Sequence, residues 1–212
     1  FRIRVGMMNP FTMIHILDEL LEAFDSKKIF KFFHVPVQSG SDKVLRDMNR
    51  NYKAADFVEI VKSIRQRFED STICTDFIVG FPTETEEDFF SSLSLLDELK
   101  PEKVNITRFS PRPGTEASKL KDLLEREKKK RSRIFSSFYQ KIVLEKNNEL
   151  ERKELPVLIT DKGKKGGVIG RDSAYRLVVL DKDLPLGATY TVRIAEAKST
   201  YLLAEIQNVV FE

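Results

Sequence analysis

Up to residue 122 the apolar positions of this 212-residue chain switch repeatedly between a period of two and a period near 3.6. That alternation is the mark of strands interleaved with helices. Phe1, Ile3 and Val5 alternate with Arg2 and Arg4 and predict a first strand, ended by Gly6-Met7-Met8-Asn9-Pro10. Ile14, Leu17, Leu20, Leu21 and Phe24 then share one face of a helix. A second strand, Ile29 to Val37, runs into Gln38-Ser39-Gly40-Ser41. A short helix over Asp42 to Met48 follows, then a longer one with Phe57, Ile60, Val61, Ile64 and Phe68 on one side.

The sharpest signal is residues 72–96. Thr72 to Val79 is a β-branched and aromatic run stopped by Gly80-Phe81-Pro82. Thr85 is placed to cap a helix whose first turn holds Glu86, Glu87 and Asp88, acids that meet the positive end of the helix dipole. Phe89, Leu93 and Leu96 give that helix its apolar face. A fourth strand, Lys103 to Phe109, ends in the rigid loop Ser110-Pro111-Arg112-Pro113-Gly114-Thr115. Alternating strands and helices predict a parallel sheet. Four strands are too few to close a barrel, so the pattern fits a half barrel, or a (β/α) barrel whose first strands precede Phe1.

Residues 124 to 150 read as one long charged helix, with Ile134, Phe138, Ile142, Phe135, Tyr139 and Val143 as an apolar stripe. The stripe is expected to pack on the barrel while the lysines face water. After Pro156 the period returns to two. Five short strands are expected at 157–160, 168–171, 176–180, 189–195 and 201–207, forming a small antiparallel OB-like barrel, a shape often used on RNA. The expected domains are therefore 1–122, a linking helix at 123–153, and 154–212.

Charge and cysteine content sharpen this reading. Residues 119–153 hold 12 basic and 6 acidic side chains, while the segments on either side are near balance or acidic. The cluster Lys128-Lys129-Lys130-Arg131, with Arg133, fits either a phosphate backbone or a solvated helix face. One cysteine, Cys74, excludes an intrachain disulfide and fits a cytosolic, cytoplasmic setting. No apolar run approaches the roughly 20 residues of a membrane-spanning helix.

The candidate chemistry lies where predicted strands end, which is where parallel α/β folds bind ligands. Asn9, His34, Gln38, Ser39 and Ser41 gather there, with Asp76 and Arg112 within or just after strands. Gln38 to Ser41 offers an amide, two hydroxyls and a glycine, which suit a ribose or the amino and carboxylate groups of an amino acid. No nucleophile–base set, phosphate loop, dinucleotide fingerprint or cysteine–histidine cluster is present. These residues bind something polar and carry no engine of catalysis. His15 reads as a helix-surface or packed residue and Cys74 as a buried apolar one.

Three stretches occur in order: HVPVQSGSDKVLRDMNRNY (34–52), TDFIVGFPTETEEDF (75–89) and RFSPRPGTEASKL (108–120). Together they resemble the radical S-adenosylmethionine methylthiotransferases, and the tail after Pro156 resembles their C-terminal RNA-binding TRAM domain. GMMNP (6–10) and FSPRPGT (109–115) are similar to the archaeal and eukaryotic branch, which acts at C2 of N6-threonylcarbamoyladenosine beside the tRNA anticodon. The resemblance implies a partial (β/α) barrel binding S-adenosylmethionine and, in the whole enzyme, two 4Fe-4S clusters. One of these cleaves the cofactor to a radical. It places Gln38, Ser39, Gly40 and Ser41 beside the cofactor's ribose and methionine moiety, and Asp76, Ile78, Gly80 and Phe81 near its adenine. Asn9 and Arg112 at the mouth are expected to meet substrate. Lys162, Lys164, Lys165, Arg171 and Arg176 in the tail, with Arg131 and Arg133 beside it, are expected to meet tRNA phosphates.

Two departures stand out. The family's C-x-x-x-C-x-x-C cluster motif is absent, as are the first two strands, so their place would lie before Phe1 and the chain by itself should hold no cluster. Thr83 stands where the family usually has glycine. Two rival readings are a ribosomal-protein methylthiotransferase on the same barrel and a non-catalytic RNA-binding protein that kept the scaffold.

Overall fold

A computed structural model describes residues 1–164 and 166–206. Three parallel strands, β1 (Phe32–His34), β2 (Thr72–Val79) and β3 (Lys103–Arg108), form an open sheet in that order. Residues 1–8 run alongside β1 through single bridges, Ile3 to Ile29 and Met7 to His34, rather than as a regular strand. The predicted second strand is likewise ladder-paired over only three residues before it meets Pro36, which has no N–H to give. It rejoins the sheet at Gln38, whose N–H bonds Asp76 and whose carbonyl accepts from Ile78.

Helices cover one face of the sheet. The first predicted helix is two, α1 (Pro10–Ile14) and α2 (Leu17–Ala23), broken at Ile16, where φ −127° and ψ 24° leave the helical region. The break brings Met13, rather than Ile14, fully into the core. Then come α3 (Asp42–Asp47), α4 (Ala54–Arg67), α5 (Glu86–Leu99) and α6 (Glu125–Asn148). The capping of α5 is as its sequence predicts: Thr85 Oγ1 accepts from Asp88 N–H, and Asp88 accepts from Thr85 N–H. The main core joins Phe33, Ile73, Phe77 and Val79 of the sheet region to Phe57 and Ile64 of α4, Leu96 of α5 and Phe135 of α6. The alternation in residues 1–5 does not bury its apolar set, because Phe1 and Ile3 are exposed.

Five strands follow: β4 (Glu154–Lys162), β5 (Val168–Arg171), β6 (Leu177–Leu180), β7 (Thr189–Ala197) and β8 (Leu202–Ile206). They close into a barrel in the order β4-β5-β6-β8-β7, with β6 and β8 parallel and the other pairs antiparallel. That is the five-stranded OB-like arrangement predicted from the period-two tail. Its core is small and aliphatic, built on Val157, Ile159, Val178, Val192 and Ile194. Among the described residues no helix is long and apolar enough to cross a membrane.

α6 corrects one expectation. Its stripe packs on the core of the sheet through Phe135 and Ile142, with Phe138 and Tyr139 against it, but Ile134 is exposed, and Lys128 and Arg131 do not face water. Arg131 is 7% exposed, and its Nη1 donates to Glu84 Oε2 at 2.5 Å and to the Glu84 carbonyl at 3.0 Å. Glu84 Oε2 also accepts from Gly80 N–H at 2.8 Å. Burial pushes the Glu84 carboxyl up, and Arg131 and Gly80 pull against that shift. Lys128 lays its stem over Gly80 and bonds Asp122 and the Phe109 carbonyl. The two cations are turned inward because the β2–α5 turn puts a buried carboxylate and a side-chain-free glycine beneath them.

A buried charge that loses its partner is costly, and Glu84 Oε1 already has none among the described residues. Arg131→Met is therefore expected to lower stability by about 3–5 kcal/mol in denaturant melts. Adding Glu84→Gln removes the orphaned charge, keeps an acceptor for Gly80, and should recover a large part of the loss. A double variant no more stable than the single one would contradict the pairing.

Candidate functional site

The second face of the sheet is open at the C-terminal ends of its strands. Residues paired in parallel register point the same way, so His34, Cys74, Asp76 and Ile78 share this face with Lys103, Asn105 and Thr107. At its centre Asp76 Oδ1 accepts from His34 Nε2 at 3.0 Å and from Asn105 Nδ2 at 2.6 Å. The carboxylate holds the imidazole proton on Nε2 and fixes both neighbours in place. Ile78 lies one register step nearer the strand ends and is half-buried.

The predicted site residues divide into three groups. Gln38, Asp76, Ile78 and the Gly80 turn come together at the strand ends. Gln38 has φ 69° and Gly80 φ 74°. A Cβ on Gly80 would lie 2.4 Å from Lys128 Cγ, so only glycine fits that turn. Phe81 is buried edge-on against Phe109, where it supports the turn from below.

Ser39, Gly40 and Ser41 form a second group, turned towards α5. Ser39 is fully buried, with its hydroxyl 3.3 Å from Ser92 Oγ and accepting from Ser41 N–H. Ser41 Oγ donates to Asp88 at 2.6 Å and caps α3 by accepting from Val44 N–H. Gly40 N–H donates to Ser92 Oγ, and a Cβ there would sit 2.5 Å from the Ser91 carbonyl. The hydroxyls expected to meet a ligand are thus committed inside the fold. The physical reason is the close crossing of this loop over α5, which only a glycine flanked by hydrogen-bonding serines allows. Burial raises the Asp88 carboxyl, but the Ser41 and Thr85 bonds outweigh it and hold the group below the usual carboxylate range.

The remaining residues are dispersed. Asn9 is exposed, and its Oδ1 caps α1 at Phe11 N–H. Arg112 is exposed on the loop after β3. Lys162 and Lys164 are exposed on the β4–β5 turn, and Lys165 lies outside the described residues. Arg171 and Arg176 do not face outward with them. Arg171 lies over the Tyr175 ring at 4.4 Å, and Arg176 is tied to Asp172 at 2.5 Å and Asp70 at 2.8 Å. Arg176 is a tie between the two domains. Asn105 was missed from the sequence, although KVNITR alternates polar with apolar residues and so places Lys103, Asn105 and Thr107 on the open face.

The fit to an iron–sulfur cluster is poor. Cys74 is 1% exposed and burial pushes its thiol up to about 12. Among the described residues no group of three His, Cys, Asp or Glu is placed to hold a metal. The strand-end set offers a polar ligand a half-buried apolar shelf at Ile78 and the carboxylate of Asp76.

Comparison with known proteins matches this division. Residues 3–96 match the radical SAM superfamily and residues 148–206 match the TRAM domain. A protein of Archaeoglobus fulgidus named probable threonylcarbamoyladenosine tRNA methylthiotransferase is 46% identical over 97% of this chain and 48% of its own length. Proteins named threonylcarbamoyladenosine tRNA methylthiotransferase from Drosophila melanogaster and Xenopus laevis are 37% and 33% identical, over 96% and 94% of this chain and 37% and 36% of their own lengths. The chain spans about half the length, or less, of the curated relatives it matches. Radical SAM and TRAM matches thus fall on the two parts of this chain, and the curated relatives similar to it over nearly all its length carry the name threonylcarbamoyladenosine tRNA methylthiotransferase.

Proposed function

We propose that this chain is part of an enzyme that adds a methylthio group at C2 of N6-threonylcarbamoyladenosine in tRNA. The observation that carries the reading is the joining, in one chain, of a region matching the radical SAM superfamily to a TRAM barrel. Relatives across 97% of the chain bear that activity in their names. A ribosomal-protein substrate and a purely RNA-binding role are the outcomes that would replace it.

In this reading the backbone of Gln38 to Ser41 and the Gly80–Phe81 turn bracket S-adenosylmethionine. Asp76 orients it with Oδ2, since His34 and Asn105 both bond Oδ1. Ser39 and Ser41 act indirectly, by holding that loop on α5. Ile78 excludes water and competing hydrogen donors from the reacting end. Bound there, the cofactor would supply the hydrogen-abstracting equivalent and the methyl group of the product. The cluster cysteines would belong to the part of the protein outside these residues.

The test is the full-length protein, reconstituted without oxygen and given tRNA that carries N6-threonylcarbamoyladenosine. Nucleoside mass spectrometry is expected to detect the methylthio product. Asp76→Ala should weaken S-adenosylmethionine binding by about ten- to a hundredfold, the loss of one or two hydrogen bonds to a buried polar ligand. Modification of a ribosomal protein in place of tRNA, or cofactor binding indifferent to Asp76→Ala, would overturn the reading.

tRNA affinity is expected to fall steeply with salt, because lysine–phosphate contacts release counterions. Lys162→Ala with Lys164→Ala should flatten the slope of log affinity against log salt by roughly one to two units. An unchanged slope would place the RNA away from the β4–β5 turn.

A further inference from the structure

A cavity lies at the other end of the same sheet, where β2 and β3 begin. It is a cleft of about 380 Å³ between the start of β2 and β3 on one side and the β5–β6 and β7–β8 turns of the small barrel on the other. That volume falls within the roughly 300–1,000 Å³ of small-molecule sites. Neither the family matches nor the proposed methylthiolation assigns it a role.

Its walls combine two features. Aromatic surface comes from Phe32, Tyr139, Tyr175 and Tyr201. Among the described residues Tyr175 is packed against Phe30, Phe32, Arg4 and Arg171, whereas the Tyr201 ring makes no aromatic or cation–π contact. Positive charge comes from Lys103, which is exposed and forms no ion pair among the described residues, and from Arg171. The Arg171 guanidinium is held over the Tyr175 ring, with a bond from Nη1 to the Tyr175 carbonyl at 3.2 Å. Arg176, also on the wall, is spent on Asp172 and Asp70. Thr72 also borders the cleft, but its hydroxyl is sealed off from it.

We propose that this cleft binds one nucleotide unit, with the base on Tyr201 and the phosphate between Lys103 and Arg171. An open ring with a fixed guanidinium and a mobile ammonium beside it is how proteins hold an unstacked nucleotide. The same chemistry serves a free mononucleotide or one residue of an RNA strand that has left the duplex. The site is independent of the strand-end chemistry, so it stands or falls without the methylthiolation reading.

The sequence provides its own probe. The chain has five tyrosines and no tryptophan, and three of those tyrosines line the cleft. Adenosine monophosphate and a short single-stranded oligoadenylate are each titrated into the 212-residue protein. Tyrosine fluorescence, corrected for nucleotide absorbance, and calorimetry follow binding. Quenching on binding is expected, with Tyr201→Ala and Lys103→Ala each weakening affinity by roughly tenfold. Both positions are at least partly exposed, and melting curves check that the variants stay folded. Binding of both ligands with these sensitivities supports the site and identifies free nucleotide as sufficient. Binding of the oligonucleotide alone, with the same sensitivities, supports it and identifies an RNA strand as the source. Failure of both ligands to bind, or binding indifferent to both substitutions, overturns it.

Discussion

The two halves of this molecule are held in one arrangement by the turn at residues 172–176. Asp172 is 1% exposed and accepts from Ala174 N–H, Arg176 N–H and Arg176 Nε. Burial pushes its carboxyl up, and the Arg176 charge opposes that shift. The stiffened turn sends Arg176 across to Asp70, just before β2, and presents the Ser173 carbonyl to Lys31 N–H at 2.8 Å. Tyr175, at φ 65°, is driven against Phe30 and Phe32. An exposed ion pair would be worth little. Here the Asp172–Arg176 pair is buried, so breaking it would leave Asp172 uncompensated in the interior, while Asp70 at the far end of the tie is more than half exposed.

That turn explains why one sheet face has two characters. Near the strand starts, Phe30, Phe32 and Cys74 are covered by Leu158 and Tyr175 of the small barrel. Near the strand ends polar residues take over, at His34, Asp76 and Asn105. The covered half gives the docking energy, and the uncovered half is left to chemistry. α6 runs between the two. Arg131 and Lys128 at one end brace the Gly80 turn, while Asn147 at the other bonds the Lys198 carbonyl of the small barrel. A substitution in α6 therefore acts on both the site and the docking without touching a ligand.

Much of the fold was legible because local signals agreed with it. The Thr85 cap, the Thr72–Val79 strand and the five period-two segments of the tail all form as the patterns predict. What stayed hidden depended on long-range proximity. The inward turn of Lys128 and Arg131 follows from Glu84 lying beneath a helix more than 40 residues later. Arg176 reads as a tail cation until Asp70 is beside it. Ser39 and Ser41 read as ligand groups until α5 is laid across them. Polar residues beside a glycine carry the same signal whether they face a ligand or a helix backbone. The Asp76 site was half legible: its carboxylate stood out, but its Asn105 partner needed the strand register.

The central claim is that the small barrel is docked on the sheet as one rigid body with it. Backbone ¹⁵N relaxation on the 212-residue protein tests this directly, because a docked pair tumbles together. One rotational correlation time shared by amides in β2, β3 and α4 and by those in β4 to β7, as expected for a single body of 24.5 kDa, is the predicted result. Two distinct correlation times, with the shorter one confined to residues 154–206, would contradict it.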